Sequence, residues 1–311
     1  MHCRNPAIDE AAVERTVSDR YDGRGSLTFV PAGRDSWCFV MGDLWVSVRR
    51  DHLGHRPEAY AAACDLRDSG LDFLLCPLRG DDGQLTRRVG GFPVVVFPLV
   101  TGAREVAADD PRDVELALQH LDRFHHAIPP RDLPMEEADE GFDEALLALL
   151  EQPAPQPSTG PHATAVATAL AGAHSTLEWC ARRLGRAALA YASASPRRTV
   201  THGDASAQNM MITREGRMLL GDLGALAMAP PERDWFHVDR SLGTSHESDP
   251  SIRDFYRLRW LVTEILEYGS ALQRPHADDE DAAQMWRELQ ALLADASSLW
   301  AREGATRELL T

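Results

Sequence analysis

Asp204, Asn209 and Asp222 are the residues of this sequence whose types and spacing best suit phosphoryl chemistry. Asp204 lies in Thr201-His202-Gly203-Asp204, Asn209 follows after Ala205-Ser206-Ala207-Gln208, and Asp222 opens Asp222-Leu223-Gly224. Moving a phosphoryl group from a nucleotide to a hydroxyl needs a carboxylate that takes or orients the hydroxyl proton. It also needs hard oxygen ligands that hold a divalent cation on the phosphates. Asp204 is the expected base, while Asn209 offers Mg²⁺ a neutral oxygen and Asp222 a charged one. His202 reads as a brace that hydrogen bonds to backbone. The bland alternative is a polar loop in which His202 and Asp204 only cap turns. Two motifs at matching distance weigh against it.

The pattern H-x-D-x-x-x-x-N followed by D-x-G resembles the catalytic-loop and metal-loop pair of kinases. That resemblance asks for a cation on the third strand, held by a helix glutamate. All 32 basic residues are Arg, so no lysine can fill the role. In Leu44-Trp45-Val46-Ser47-Val48-Arg49, strand alternation puts Ser47 and Arg49 on one face. Arg49 is the expected cation and Glu58 its expected partner, although a surface Arg49 with the phosphates left to Mg²⁺ is the plainer reading. Arg is longer and forked, so it does not simply replace lysine. The turn Gly33-Arg34-Asp35-Ser36 lies where a kinase covers phosphates, with Ser36 able to donate to a phosphate oxygen. Taken alone it is an ordinary hairpin turn.

Around these residues the spacing predicts a helix over 8–20 and strands over 27–30, 37–41 and 44–49. A helix over 58–69 with Pro57 in its first turn comes next, then strands over 71–78, 85–89 and 92–100. Beyond Gly102 the character is helical: 110–127, 142–150, one long Ala-rich helix over 162–190, and closing helices over 251–272 and 278–303. Gln152 to Pro161 carries four prolines and reads as a surface loop. The fold class is α+β: a two-lobed, protein-kinase-like fold. A β-rich N-terminal nucleotide-binding lobe spans 1–98, and a mainly helical C-terminal catalytic and substrate-binding lobe spans 99–311.

His202-Gly203-Asp204 to Asn209, the following Asp222-Leu223-Gly224 and Pro230-Pro231-Glu232-Arg233-Asp234-Trp235 together resemble the aminoglycoside phosphotransferase family. Phe92 to Gly102 resembles its hinge strand, and Leu121 to His125 its Leu-x-x-x-His helix end. Within that family the layout is most similar to spectinomycin-type enzymes. The resemblance implies transfer of the γ-phosphate of ATP or GTP to a hydroxyl of an aminocyclitol-like antibiotic or related metabolite. It implies Asp204 as base, Asn209 and Asp222 as metal ligands, and adenine against the backbone at Phe97, Leu99 and Val100. Asp234, Asp239, Glu264 and Glu267 are acidic residues that could meet substrate ammonium groups, with helix capping and solvated charge as their plainer roles. Ala205 to Gln208 depart from the family's frequent Leu-His-Pro-Gly. The same fold serves choline, homoserine, fructosamine and nucleoside-antibiotic kinases, so fold alone does not select the acceptor.

A net charge of −16 argues against non-specific nucleic-acid binding and against an anionic membrane surface. It suits a cationic small substrate, and solubility would explain it equally well. The five Cys are scattered without metal-ligand spacing, as expected of reduced thiols in a cytoplasmic protein. The N-terminus is too charged for a signal peptide. The competing expectation is a kinase-fold binding module that has lost transfer along with the lysine. A protein kinase ranks third, because no A-P-E segment follows Asp222.

Overall fold

Alternating apolar residues in the first hundred positions form a sheet with two differently covered faces. The computed structural model describes residues 1–33, 36–50, 56–152 and 159–308. Contacts cluster in two units, Met1–Glu136 with Arg197–Glu247, and Glu137–Pro196 with Ser248–Thr311.

The first unit begins with α1 (Glu10–Tyr21), capped by Asp9, whose carboxylate accepts the Ala12 N–H at 2.9 Å. Five strands follow: β1 (Thr28–Val30), β2 (Ser36–Met41), β3 (Leu44–Arg49), β4 (Thr86–Val89) and β5 (Phe92–Pro98). They pair antiparallel in the order β1-β2-β3-β5-β4. Gly42, at φ 62°, makes the tight turn from β2 into β3. Side chains alternate across the pleat. Val46, Val48, Val94 and Val96 pack with Val13 and Val17 of α1. Val95 and Phe97 pack on the other face with Tyr60, Ala63 and Cys64 of α2 (Pro57–Asp68). Ser47 and Arg49 therefore face α2.

The 71–78 segment is not a strand. Leu75 donates to Leu220 O at 2.9 Å, Leu78 to Val96 O at 2.7 Å, and Pro77 has no N–H to give. Split between two neighbours, the segment builds no ladder and keeps only a single bridge, Leu74 to Leu220. Its apolar residues are buried as filler between sheet and hairpin, which mimics a strand's pattern.

The remainder of this unit carries the loops of interest. It comprises β6 (Arg104–Glu105), α3 (Pro111–His125), β7 (Thr199–Thr201), β8 (Met210–Ile212), β9 (Met218–Leu220), β10 (Ala227–Ala229) and α7 (Glu232–Leu242). β7 pairs with β10, and β8 and β9 form the hairpin with β6 on its edge.

The second unit is helical: α4 (Phe142–Leu150), α5 (Ala163–Gly172), α6 (His174–Ala194), α8 (Pro250–Leu272) and α9 (Glu280–Glu308). α6 packs on α4, α8 and α9 through Leu177, Cys180, Leu184 and their apolar neighbours. Arg259 pairs with Glu140 at 2.8 Å. The long helix expected over 162–190 is broken in two. Ala173 leaves helical geometry at φ −95°, ψ 4° directly after Gly172, and its N–H closes the first helix on Ala169 O at 3.0 Å. Most of the proline-rich loop lies outside the described residues, as do Arg34 and Asp35 of the expected phosphate turn.

Candidate active site

The loop that carries Asp204 leaves β7 at His202 and ends in a short turn, Ala207–Asn209, that leads into β8. The loop that carries Asp222 leaves β9 at Gly221. Because Met210 pairs with Leu220, Asn209 and Gly221 lie side by side at the open end of the hairpin. The Gly221 N–H donates to Asn209 O at 2.8 Å. Separation in sequence between the two motifs is thus erased by one strand pair.

Asn209 Nδ2 donates to the Asp204 backbone carbonyl at 2.8 Å and to Asp204 Oδ2 at 2.9 Å. With its nitrogen on Asp204, the amide keeps its oxygen for another partner. His202 Nδ1 accepts the Asp204 N–H at 3.2 Å, so the proton is on Nε2, which donates to Gly221 O at 2.7 Å. The expected brace is present, and it ties the two motifs together. The Asp204 side chain retains 40% exposure and His237 Nδ1 lies 3.2 Å from its Oδ1.

Beneath the loop is Asp234, fully buried. Its carboxylate accepts the N–H of His202 at 2.8 Å and of Gly203 at 2.7 Å, and lies 2.9 Å from His125 Nε2. Burial alone would raise this carboxyl. The hydrogen bond with His125 and the nearby Arg233 charge outweigh burial and bring it from 3.8 down to about 2. Asp234 is therefore an anchor of the loop, which corrects its expectation as an acceptor-side acid. Asp239 is likewise engaged, accepting from Thr244 Oγ1 at 2.7 Å with His246 Nδ1 at 2.6 Å. Glu264 and Glu267 lie half-buried on α8.

Arg49 is buried and faces the Asp222 loop. Its Nη1 donates to Asp222 Oδ1 at 2.9 Å and to Tyr60 Oη at 3.0 Å. Burial pushes the Tyr60 hydroxyl up to about 12 against the pull of Arg49, so it stays neutral. Glu58 is not brought to Arg49. It is exposed in the first turn of α2, and two residues along a helix rotate roughly 200°, so Tyr60 faces inward where Glu58 faces out. Asp222 adopts the left-handed conformation, φ 52°, ψ 55°. For a residue with a Cβ this costs roughly 1–2 kcal/mol, tolerated best by Asn and Asp. Such strain recurs at sites where a side chain must be aimed.

Ser36 starts β2 in register with Arg49, its hydroxyl 3.4 Å from Cys38 Sγ. Phe97 is buried on β5, its ring edge-on to Tyr60 at 6.3 Å between centroids. The Leu99 N–H is committed to Asp43 O at 2.8 Å, and Val100 follows on the segment leaving the sheet. Asn209 and Asp222 supply the hard oxygens Mg²⁺ prefers. Among the described residues no group of three or more His, Cys, Asp and Glu could hold a metal ion. An ion held by Asn209 and Asp222 would thus draw most of its ligands from phosphate and water.

Sequence reasoning missed Tyr60 and His237. The one available signal was spacing: Arg233, His237 and Ser241 recur every fourth residue and must share a face of α7.

No protein-family model matches the chain. Among solved structures, a spectinomycin phosphotransferase bound to ADP and spectinomycin superposes with a TM-score of 0.69 at 14% identity, over 94% of this chain and 98% of that one. A microcompartment-associated aminopropanol kinase reaches 0.60 at 14% identity, over 95% and 99%. A streptomycin–ATP complex of another aminoglycoside phosphotransferase reaches 0.52 at 15% identity, over 93% and 97%. The chain has the kinase-like fold of aminoglycoside phosphotransferases, with an antiparallel-sheet N-terminal part and a mainly helical C-terminal part. It belongs to the family of Protein StrN from Streptomyces griseus, being 36% identical to it over 315 residues that cover 95% of this chain and 97% of the relative.

Proposed function

We propose that the chain is a small-molecule O-phosphotransferase that moves the γ-phosphate of ATP or GTP to a hydroxyl of an aminoglycoside- or aminocyclitol-like antibiotic or a related metabolite. The observation that carries this reading is the union of the two loops. Asn209 bonds Asp204 through its side chain and Gly221 through its backbone, directly beside Asp222.

In this reading Asp204 orients the acceptor hydroxyl and takes its proton, a contribution of ~10² to 10⁴-fold or about 3–5 kcal/mol of barrier. Asn209 and Asp222 would hold Mg²⁺, whose charge offsets that of the nucleotide phosphates. Arg49 serves the phosphates in place of lysine, with Tyr60 rather than Glu58 as its support. Ser36, level with Arg49 on the sheet, is the nearby hydroxyl donor. Adenine would lie against the backbone from Phe97 to Val100. Because the Leu99 N–H is already used, adenine contacts there fall to the carbonyls and to Val100. The nucleotide side belongs to 1–98 and the acceptor side to 99–311. The scattered Cys fit a cytoplasmic enzyme, and the likeness to a spectinomycin phosphotransferase supports a role in antibiotic resistance or biosynthesis.

The test is nucleotide turnover by purified protein with spectinomycin, streptomycin and aminopropanol as candidate acceptors. Asp204→Ala is expected to lower turnover by at least about 100-fold while nucleotide affinity is largely kept. No turnover with any hydroxylated antibiotic or amino alcohol would sink the reading. One observation favours a second reading, a ligand-binding module without transfer: Arg49 engages the same carboxylate that a metal would need. Calorimetry separates the two. Mg²⁺-dependent nucleotide binding weakened by Asp222→Ala supports the enzyme, and binding indifferent to both supports the module.

A further inference from the structure

Along α7 one stripe of side chains tracks the catalytic loop. Arg233 Nη1 donates to Thr201 Oγ1 at 3.0 Å, His237 Nδ1 meets Asp204 Oδ1 at 3.2 Å, and Ser241 Oγ accepts the Ala207 N–H at 3.0 Å. A spacing of four on the helix thus matches a spacing of three on the loop, since an α-helix rises only about 1.5 Å per residue and the loop is more extended. The stripe is itself pinned, because Arg233 Nη2 donates to Ala225 O at 3.0 Å and Nε pairs with buried Glu136 at 2.9 Å.

Building on the phosphotransferase reading, we propose that His237 is a positioning residue for Asp204: from 3.2 Å away, a small turn of its neutral ring brings Nδ1–H onto Oδ1 while Asn209 donates to Oδ2, aiming the carboxylate at the acceptor hydroxyl. A carboxylate on a loop rotates about two side-chain bonds. A donor on each oxygen removes that freedom and leaves lone pairs for the incoming hydroxyl. Misplacement of a reacting group by about 1 Å can cost on the order of 100-fold in rate. His237 is suited to the task because it stays uncharged. Burial drives its pKa below 6.5, opposed by the carboxylates of Asp204 and Asp234 and reinforced by the Arg233 charge. A neutral donor fixes the base without neutralising it.

Two substitutions test this beside the wild-type enzyme at saturating acceptor. His237→Phe keeps an aromatic ring and removes the donor, and His237→Asn places an amide N–H where Nδ1–H sits. His237→Phe is expected to lower kcat by about 10- to 100-fold with the nucleotide KM unchanged, and His237→Asn to recover most of that loss. A kcat in His237→Phe equal to wild type overturns the inference and leaves the phosphotransferase reading intact. Wild-type protein without turnover removes both. Should His237→Phe not fold, ¹⁵N NMR of the histidines in the wild-type protein decides. An Nδ1-protonated ring at His237 that is lost in Asp204→Ala supports the inference, and an unprotonated Nδ1 overturns it.

Discussion

Arg49 shows how far a single side chain can be read from its neighbours in sequence. Alternation along β3 put it on one face with Ser47, and that face is the one α2 covers. Its partner was not legible. The expected glutamate points to solvent, and a tyrosine two positions later supplies the contact from the apolar face of the helix. The exchange changes the chemistry. A neutral hydroxyl orients the guanidinium without cancelling its charge, so Asp222 becomes its counter-ion. Arg49→Ala should therefore raise the nucleotide KM, measured by initial-rate kinetics at fixed acceptor. Arg49→Lys should retain part of the affinity, because lysine restores the charge but not the fork that spans Tyr60 and Asp222. If neither change alters nucleotide binding, Arg49 has no role at the phosphates.

Loops need elements that hold them, and here β7, β8 and α7 do so. Gly203, at φ 93°, sits where a Cβ would come within 2.4 Å of the Arg233 guanidinium. That guanidinium cannot step aside cheaply, being bonded to Thr201, Ala225 and Glu136. Gly203→Ala should cost more than about 1 kcal/mol of stability, read by denaturant titration, and should lower turnover as well. Most strands and helices were legible from period and punctuation. β3 and α4 begin and end where expected, because a tight turn and an N-terminal Gly mark them. The misread segments lack such marks. Residues 71–78 carry a strand's apolar pattern but divide their hydrogen bonds between two neighbours. The Ala-rich stretch has high helical propensity on both sides of a break that only Gly172 hints at.

For the molecule as a whole, acidity and a buried carboxylate set the response to pH. Asp234 ionises near 2 in the folded chain against an ordinary 3.8. Its folded pKa is the lower one, so its stabilising contribution is complete above about pH 4 and is lost as pH falls from there toward 2. A thermal melt series from pH 6 to pH 3 should show Tm falling most steeply below pH 4, and Asp234→Asn should flatten that descent while lowering Tm at pH 7. The charge of −16 adds no comparable single contact, since most of it is solvated. Among the described residues no helix is long and apolar enough to cross a membrane. The candidate site residues were legible in the chain, because Asp204, Asn209 and Asp222 lie close together in sequence with one short hairpin between them. Periodicity supplied the elements for the same reason: both signals are local. Tyr60, His237 and the Asp234 anchor arise from helices that return to the loops from distant positions. Such contacts depend on which face of α2, α3 or α7 is buried against its neighbours, and packing of the folded chain settles that.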